Sequence, residues 1–183
     1  VKIYIAKVII FHWFTNYYYL CKNQILKLMK VTNNQAISAH NFLANLKLSG
    51  FDKDIRVAIF KNVGELAIAV KAIQEKIEAS KKELFKDLEK DGQQVGALRE
   101  EFNKEETTKE RRENIVKEIL AYEAYINAEK ELNEVVMQFG KDELEVSLVT
   151  IDFGKFIDGL INSDIEFTAL QLQVMAFMFN EIK

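Results

Sequence analysis

Val63–Leu88 reads VGELAIAVKAIQEKIEASKKELFKDL, with apolar residues at Val63, Leu66, Val70, Ile73, Ile77 and Leu84 and Ser80 keeping the register. Steps of three and four residues put these side chains on one face of an α-helix. As one helix the stretch would run roughly 39 Å, at about 1.5 Å per residue. A second stretch, Ile115–Phe139, repeats the pattern with Ile115, Ile119, Tyr122, Ile126, Leu132, Val136 and Phe139. Between the two, Asp91-Gly92 predicts a helix break, and Gln93–Thr108 is polar apart from Leu98 and Phe102. The expectation is a long antiparallel, coiled-coil-like hairpin over residues 53–139. Gly64 is its weak point and a candidate bend, costing about 1 kcal/mol relative to Ala. Gly140 is expected to close the second arm in a left-handed cap.

Working outward, Thr32 and Asn33 are good N-caps for a helix over Asn34–Leu48, with Ile37, Phe42, Leu43 and Leu46 inward. Ile55, Ile59 and Phe60 supply the apolar side of the next segment, ahead of the heptads. Past Gly140 the period changes: Leu144, Val146 and Leu148 alternate with Glu145 and Ser147, a strand pattern. Asp152 can cap a short helix containing Phe153, Phe156, Ile157, Leu160 and Ile161. Thr168 with Gln171 makes a capping box for a last helix, Ala169–Ile182. A lone strand cannot satisfy its backbone groups. Lys30–Thr32, Leu144–Ile151 and Ile165–Phe167 are therefore expected to pair into a minimal two- or three-stranded β element. The fold class is mainly α: a helical hairpin with that β element and short helices at its base.

The 183 residues contain no proline, which suits long helices, and one cysteine, Cys21, which excludes an internal disulfide framework. Residues 1–28 hold Lys2, Lys7, Lys22 and Lys27 and no acid, together with the only tryptophan and four of the six tyrosines. Without those four lysines the formal charge falls from −3 to −7. So acidic a body disfavours an electrostatic grip on nucleic acid.

Three readings fit residues 1–28: a secretory signal or membrane anchor, an aromatic strand or hairpin packed on the body, or a translated stretch upstream of a start at Met29. The apolar run Val8–Cys21 is broken by His12, Thr15 and Asn16 and is shorter than the roughly 20 residues a spanning helix needs. Membrane association is thus disfavoured unless these residues are genuine. The expected organisation is an N-terminal extension, 1–28, and a single domain, 29–183, whose strand–helix region covers 143–183.

Motifs for chemistry are missing. There is no Walker or dinucleotide glycine pattern, no His-Glu-x-x-His and no paired cysteines. Of the two histidines, His12 lies in the extension and His40 stands beside Asn41 on the first helix. Acids gather at Asp142, Glu143, Glu145 and Asp152 and at Asp158, Asp164 and Glu166. Their spacing matches no metal-binding loop, so a solvated rim is expected. No catalytic residue, metal or cofactor is assigned.

The last helix is apolar nearly all round. It must be buried, either in the core or against another chain. Leu170, Val174, Met175, Phe177 and Met178 are its candidate partner surface. Arg56, Lys61, Tyr122 and Tyr125 are candidate contacts for an anionic ligand, combining cations with aromatic rings.

MKVTNNQ at Met29–Gln35, ELEVSLVTID at Glu143–Asp152 and DIEFTALQLQVMAFM at Asp164–Met178 resemble a family of small uncharacterised phage and prophage proteins. Those proteins open on a similar Met-Lys-Leu-Thr-Asn, carry a helical hairpin, and close on a Glu-Val-Glu-Val strand and an acidic-apolar helix. The resemblance covers Met29 to about Met178. It implies a phage origin and a bacterial host cytoplasm, and it transfers no catalytic residue. The expected function is non-enzymatic: an accessory protein acting by protein–protein contact, as a homo-oligomer, in virion assembly or host interaction. The alternative is a binder of small nucleotide signals that counters host defence.

Overall fold

A computed structural model describes residues 26–180. Nearly all of the extension, with His12 and Cys21, lies outside the described residues. The expected boundary at 28/29 falls inside the first strand, β1 (Leu26–Thr32). The described chain is mainly helical, with a small two-stranded antiparallel sheet, and its contacts divide it into two compact units.

The first unit comprises the described residues up to Ala72 and those from Lys141 onward. β1 pairs with β2 (Glu143–Val149), Met29 opposite Val146 and Val31 opposite Leu144. Alternation turns Met29, Val31, Val146 and Leu148 into the core, while Leu26, Leu28 and Lys30 stay exposed. α1 (Asn33–Ala44) starts directly from β1. Thr32 Oγ1 accepts from the Gln35 N–H at 3.2 Å, and Gln35 Oε1 accepts from the Thr32 N–H at 2.9 Å, the expected type of cap closed into a full box. The helix stops at Ala44 rather than Leu48 and buries Ala36, Ala39 and Leu43.

α2 (Lys53–Leu84) adds Ile55, Ala58, Ile59 and Leu66 to the same core. It continues through Gly64 without interruption. α6 (Phe153–Asn162), capped by Asp152 as expected, adds Phe156 and Leu160.

Ile165–Phe167 forms no strand, contrary to the sequence pattern. The end of α6 claims its first backbone donor: the Ile165 N–H bonds to Leu160 O and the Asp164 N–H to Ile161 O, both at 3.1 Å. This is a Schellman closure, with Asp164 at φ 51° in the left-handed position. The strand partner comes instead from the chain's end. The Ile151 N–H donates to Met178 O at 2.8 Å, and Ile151 O accepts from the Asn180 N–H at 2.9 Å, a parallel bridge to Phe179. That pairing shortens the last helix. α7 covers only Ala169–Val174, and a 3₁₀ turn over Ala176–Met178 leads into the extended Phe179.

The second unit is Ile73–Gly140. Here each expected arm is helical but broken into shorter pieces. α2 ends at Leu84, and α3 (Glu89–Phe102), α4 (Lys109–Leu120) and α5 (Glu123–Lys141) follow. The first break falls at Phe85–Leu88, so Asp91-Gly92 sits in the first turn of α3. Glycine is needed there for packing: a Cβ on Gly92 would lie 2.9 Å from the Tyr125 ring. Thr108 caps α4 by accepting from the Arg111 N–H at 3.2 Å. The second arm breaks at Ala121-Tyr122, where the Ala121 N–H is shared between Lys117 O and Glu118 O. Gly140 takes no left-handed conformation; it is a buried position inside α5.

Candidate functional site

α2 is the element whose sequence does most. On its core side Asn62 is fully buried. Its Nδ2 donates to Val149 O at 2.9 Å, and its Oδ1 accepts from the Val149 N–H at 2.8 Å. The side-chain amide thus substitutes for a neighbouring strand on the outer edge of β2, and the Phe179 bridge covers that edge two residues on. Exposed backbone on a sheet edge invites further pairing, so both contacts close β2.

At about 100° per residue, the opposite side of α2 carries Val57, Phe60, Gly64, Ala67 and Ile68. Phe60 is 60% exposed and Ile68 69%. A Cβ on Gly64, midway between them, would meet nothing within 4 Å. Lys53, Arg56, Lys61 and Lys71 flank this stripe. Sequence reasoning put Phe60 on the inward side; the structure turns it to solvent, because Ile55, Ala58, Ile59, Asn62 and Leu66 already fill the inward face.

Of the five candidate surface residues on the last helix, Met175 and Met178 are fully buried in the first unit's core. Val174 and Phe177 are half-buried, and Leu170 stands 68% exposed. The five therefore do not form one open face. A shallow cleft of about 660 Å³ lies beside Leu172, Ala176 and Phe179.

The four candidate ligand contacts fall in different units. Arg56, exposed, and Lys61, half-buried, are on α2 in the first unit. Tyr122 and Tyr125 are in the second and line separate clefts. Tyr122 donates to Gln94 Oε1. Tyr125 lines a cleft of about 630 Å³ with Lys81, Phe85, Leu88, Glu89 and Glu129. Its ring meets that of Phe85 edge-on at 5.1 Å.

Beside that cleft, Arg99 grips both oxygens of Glu129 at 2.7 Å. The hydrogen bonds from Arg99 hold the Glu129 carboxyl below the usual carboxylate range. Burial, reinforced by the Glu129 charge, raises the Tyr125 phenol. A second cluster pairs Arg111 with Glu101 at 2.7 Å and with Glu118 at 2.5 Å. The cleft's own lining sets Lys81 against Glu89 and Glu129, weak provision for an anionic ligand.

His40 is half-buried on α1, its Nδ1 3.4 Å from Asn41 Oδ1. Among the described residues no group of three or more His, Cys, Asp or Glu side chains could hold a metal ion. Also among them, no helix is long and apolar enough to cross a membrane.

Compared with protein families, curated proteins and solved structures, the chain has no significant match.

The outward stripe of α2 is therefore the feature that most needs a functional account. Sequence reasoning did not find it as a surface, although Phe60-x-x-x-Gly-x-x-x-Ile68 is a readable signal of a second apolar side on a helix already committed to a core.

Proposed function

We propose that this protein is a non-enzymatic, phage-encoded accessory protein that acts through protein–protein contacts as a homo-oligomer, in virion assembly or host interaction within the bacterial cytoplasm. One observation carries the reading. α2 leaves Phe60 and Ile68 exposed on the side opposite the first unit's core. A helix apolar on two sides is suited to burial on both. The resemblance of Met29–Gln35, Glu143–Asp152 and Asp164–Met178 to phage proteins is the ground for the setting.

Light scattering after size exclusion, across a wide concentration range, combined with affinity capture from host lysate, tests this. Self-association or a reproducible stoichiometric partner is expected. A strict monomer that captures nothing overturns it.

The small-ligand alternative would draw on the aromatic rings of the Phe85–Tyr125 cleft, against the two acids in its lining. Nucleotide signals should raise Tm in a thermal-shift screen if they bind the native state, and no shift at millimolar nucleotide overturns that alternative.

A further inference from the structure

We infer that the outward stripe of α2 is the contact between two copies of this chain, crossing antiparallel at Gly64; this rests on the protein-contact reading above. The stripe is its own complement. Gly64 is a gap in open space, with Phe60 four residues before it and Ile68 four residues after. A two-fold axis at Gly64 sets each residue opposite the one equally far on the other side. Phe60 of each copy then meets Ile68 of the other, and the two backbones approach where no Cβ intervenes.

Charge favours the antiparallel orientation. A parallel pair would set Lys53, Lys61 and Lys71 each against its own copy. The antiparallel pair sets Lys61 opposite Ala67, Arg56 opposite Ala72 and Lys71 opposite Val57. There the lysine stem can lie along the valine while its head stays wet.

The area sets the strength. Lys53–Ala72 spans about 30 Å of a helix about 11 Å wide, a footprint of roughly 330 Å² per copy, well short of the roughly 800 Å² of a standard stable interface. A contact this small makes the dimer weak, so it forms only at high protein concentration.

The test uses the full chain. Sedimentation from about 5 μM to 1 mM should show a reversible monomer–dimer equilibrium, and Phe60→Glu should weaken it at least about tenfold with unchanged circular dichroism. In a Cys21→Ser background, Gly64→Cys should oxidise to a covalent dimer, because it lies on the axis. Phe60→Cys alone should not, since its two copies sit about 12 Å apart along the helices, beyond disulfide reach. Phe60→Cys mixed with Ile68→Cys should cross-link.

Cross-linking of Phe60→Cys to itself overturns the antiparallel register. A dimer indifferent to Phe60→Glu overturns this surface while leaving the protein-contact reading standing. A monomer at 1 mM overturns the second copy. So does a loss of Tm in monomeric Phe60→Glu, which would show the stripe covered by the chain itself.

Discussion

At the scale of single residues, Asn62 is a buried polar side chain held on both its hydrogen-bonding atoms. Replacing it with Leu leaves the Val149 N–H and C=O without their partners, and each orphaned buried group costs about 1–3 kcal/mol. Asn62→Leu should therefore lower unfolding stability by about 2–4 kcal/mol, read as a drop in urea midpoint without a change in slope. Asn62→Asp keeps the acceptor for the Val149 N–H but sets a carboxylate against the Val149 carbonyl. Its loss should ease as pH falls and the protonated carboxyl regains a donor. Asp164 offers the opposite sign. It occupies the left-handed position of the α6 closure at φ 51°, which glycine adopts without a Cβ penalty. Asp164→Gly should raise stability by about 0.5–1 kcal/mol by thermal or urea unfolding. Gly159→Ala, by contrast, drives a methyl into the Phe51 ring and should cost about 1–3 kcal/mol.

At the scale of elements, glycines explain both what could be read in the sequence and what could not. Gly64 looked like a bend and Gly92 like a break, yet both lie inside helices. The reason for Gly92 is non-local: the Tyr125 ring, 33 positions on in sequence, needs the space. Removing each glycine should separate the two cases. Gly64→Ala gains about 1 kcal/mol of helix propensity at no steric cost, so stability of the monomer should rise. Gly92→Ala has the same local gain but must displace the Tyr125 ring, so it should come out less stable than Gly64→Ala. Paired melts of the two variants check this. Caps were legible because they are local: Thr32, Asp152 and Thr168 each accept the backbone bond their sequence context suggests. The Phe179 bridge was not, because a helix-period run such as Ala169–Met178 gives no sign that a strand edge at Ile151 will pull it open. The α2 surface was half legible. Val63–Ile77 announces one apolar side, but Phe60 and Ile68 belong to a second stripe that periodicity merges with the first. The burial of Asn62 beside Ile55, Ala58, Ile59 and Leu66 shows which side the core chose.

At the scale of the whole molecule, the two units are held differently, and pH should tell them apart. The first unit's core is a continuous apolar cluster running from Met29 to Met178. The second fully buries Val95 and Ile115 and leans on the ion pairs Arg99–Glu129, Arg111–Glu101 and Arg111–Glu118. Bonds from Arg99 and Arg111 hold the Glu129 and Glu101 carboxyls below their ordinary values. A carboxyl lowered on folding contributes stability that is complete above the unfolded value, about 4.3, and is lost as pH falls through the folded one. Tyr125 runs the other way. Burial raises its phenol, so its contribution is complete below about pH 10 and is lost as pH rises through the folded value. The second unit should thus hold a stability plateau through neutral pH and weaken at both ends. Partly exposed, the Arg99–Glu129 pair should supply about 0.5–1 kcal/mol of the acid-side loss. Hydrogen exchange followed by peptide mass spectrometry, corrected for intrinsic rates, should show α3, α4 and α5 losing protection below pH 4 before β1, β2 and α6 do. Glu129→Gln should flatten the acid limb, and Tyr125→Phe the alkaline one. Simultaneous loss of protection in both units, with no effect of Glu129→Gln, would mean that these ion pairs do not set the acid limit.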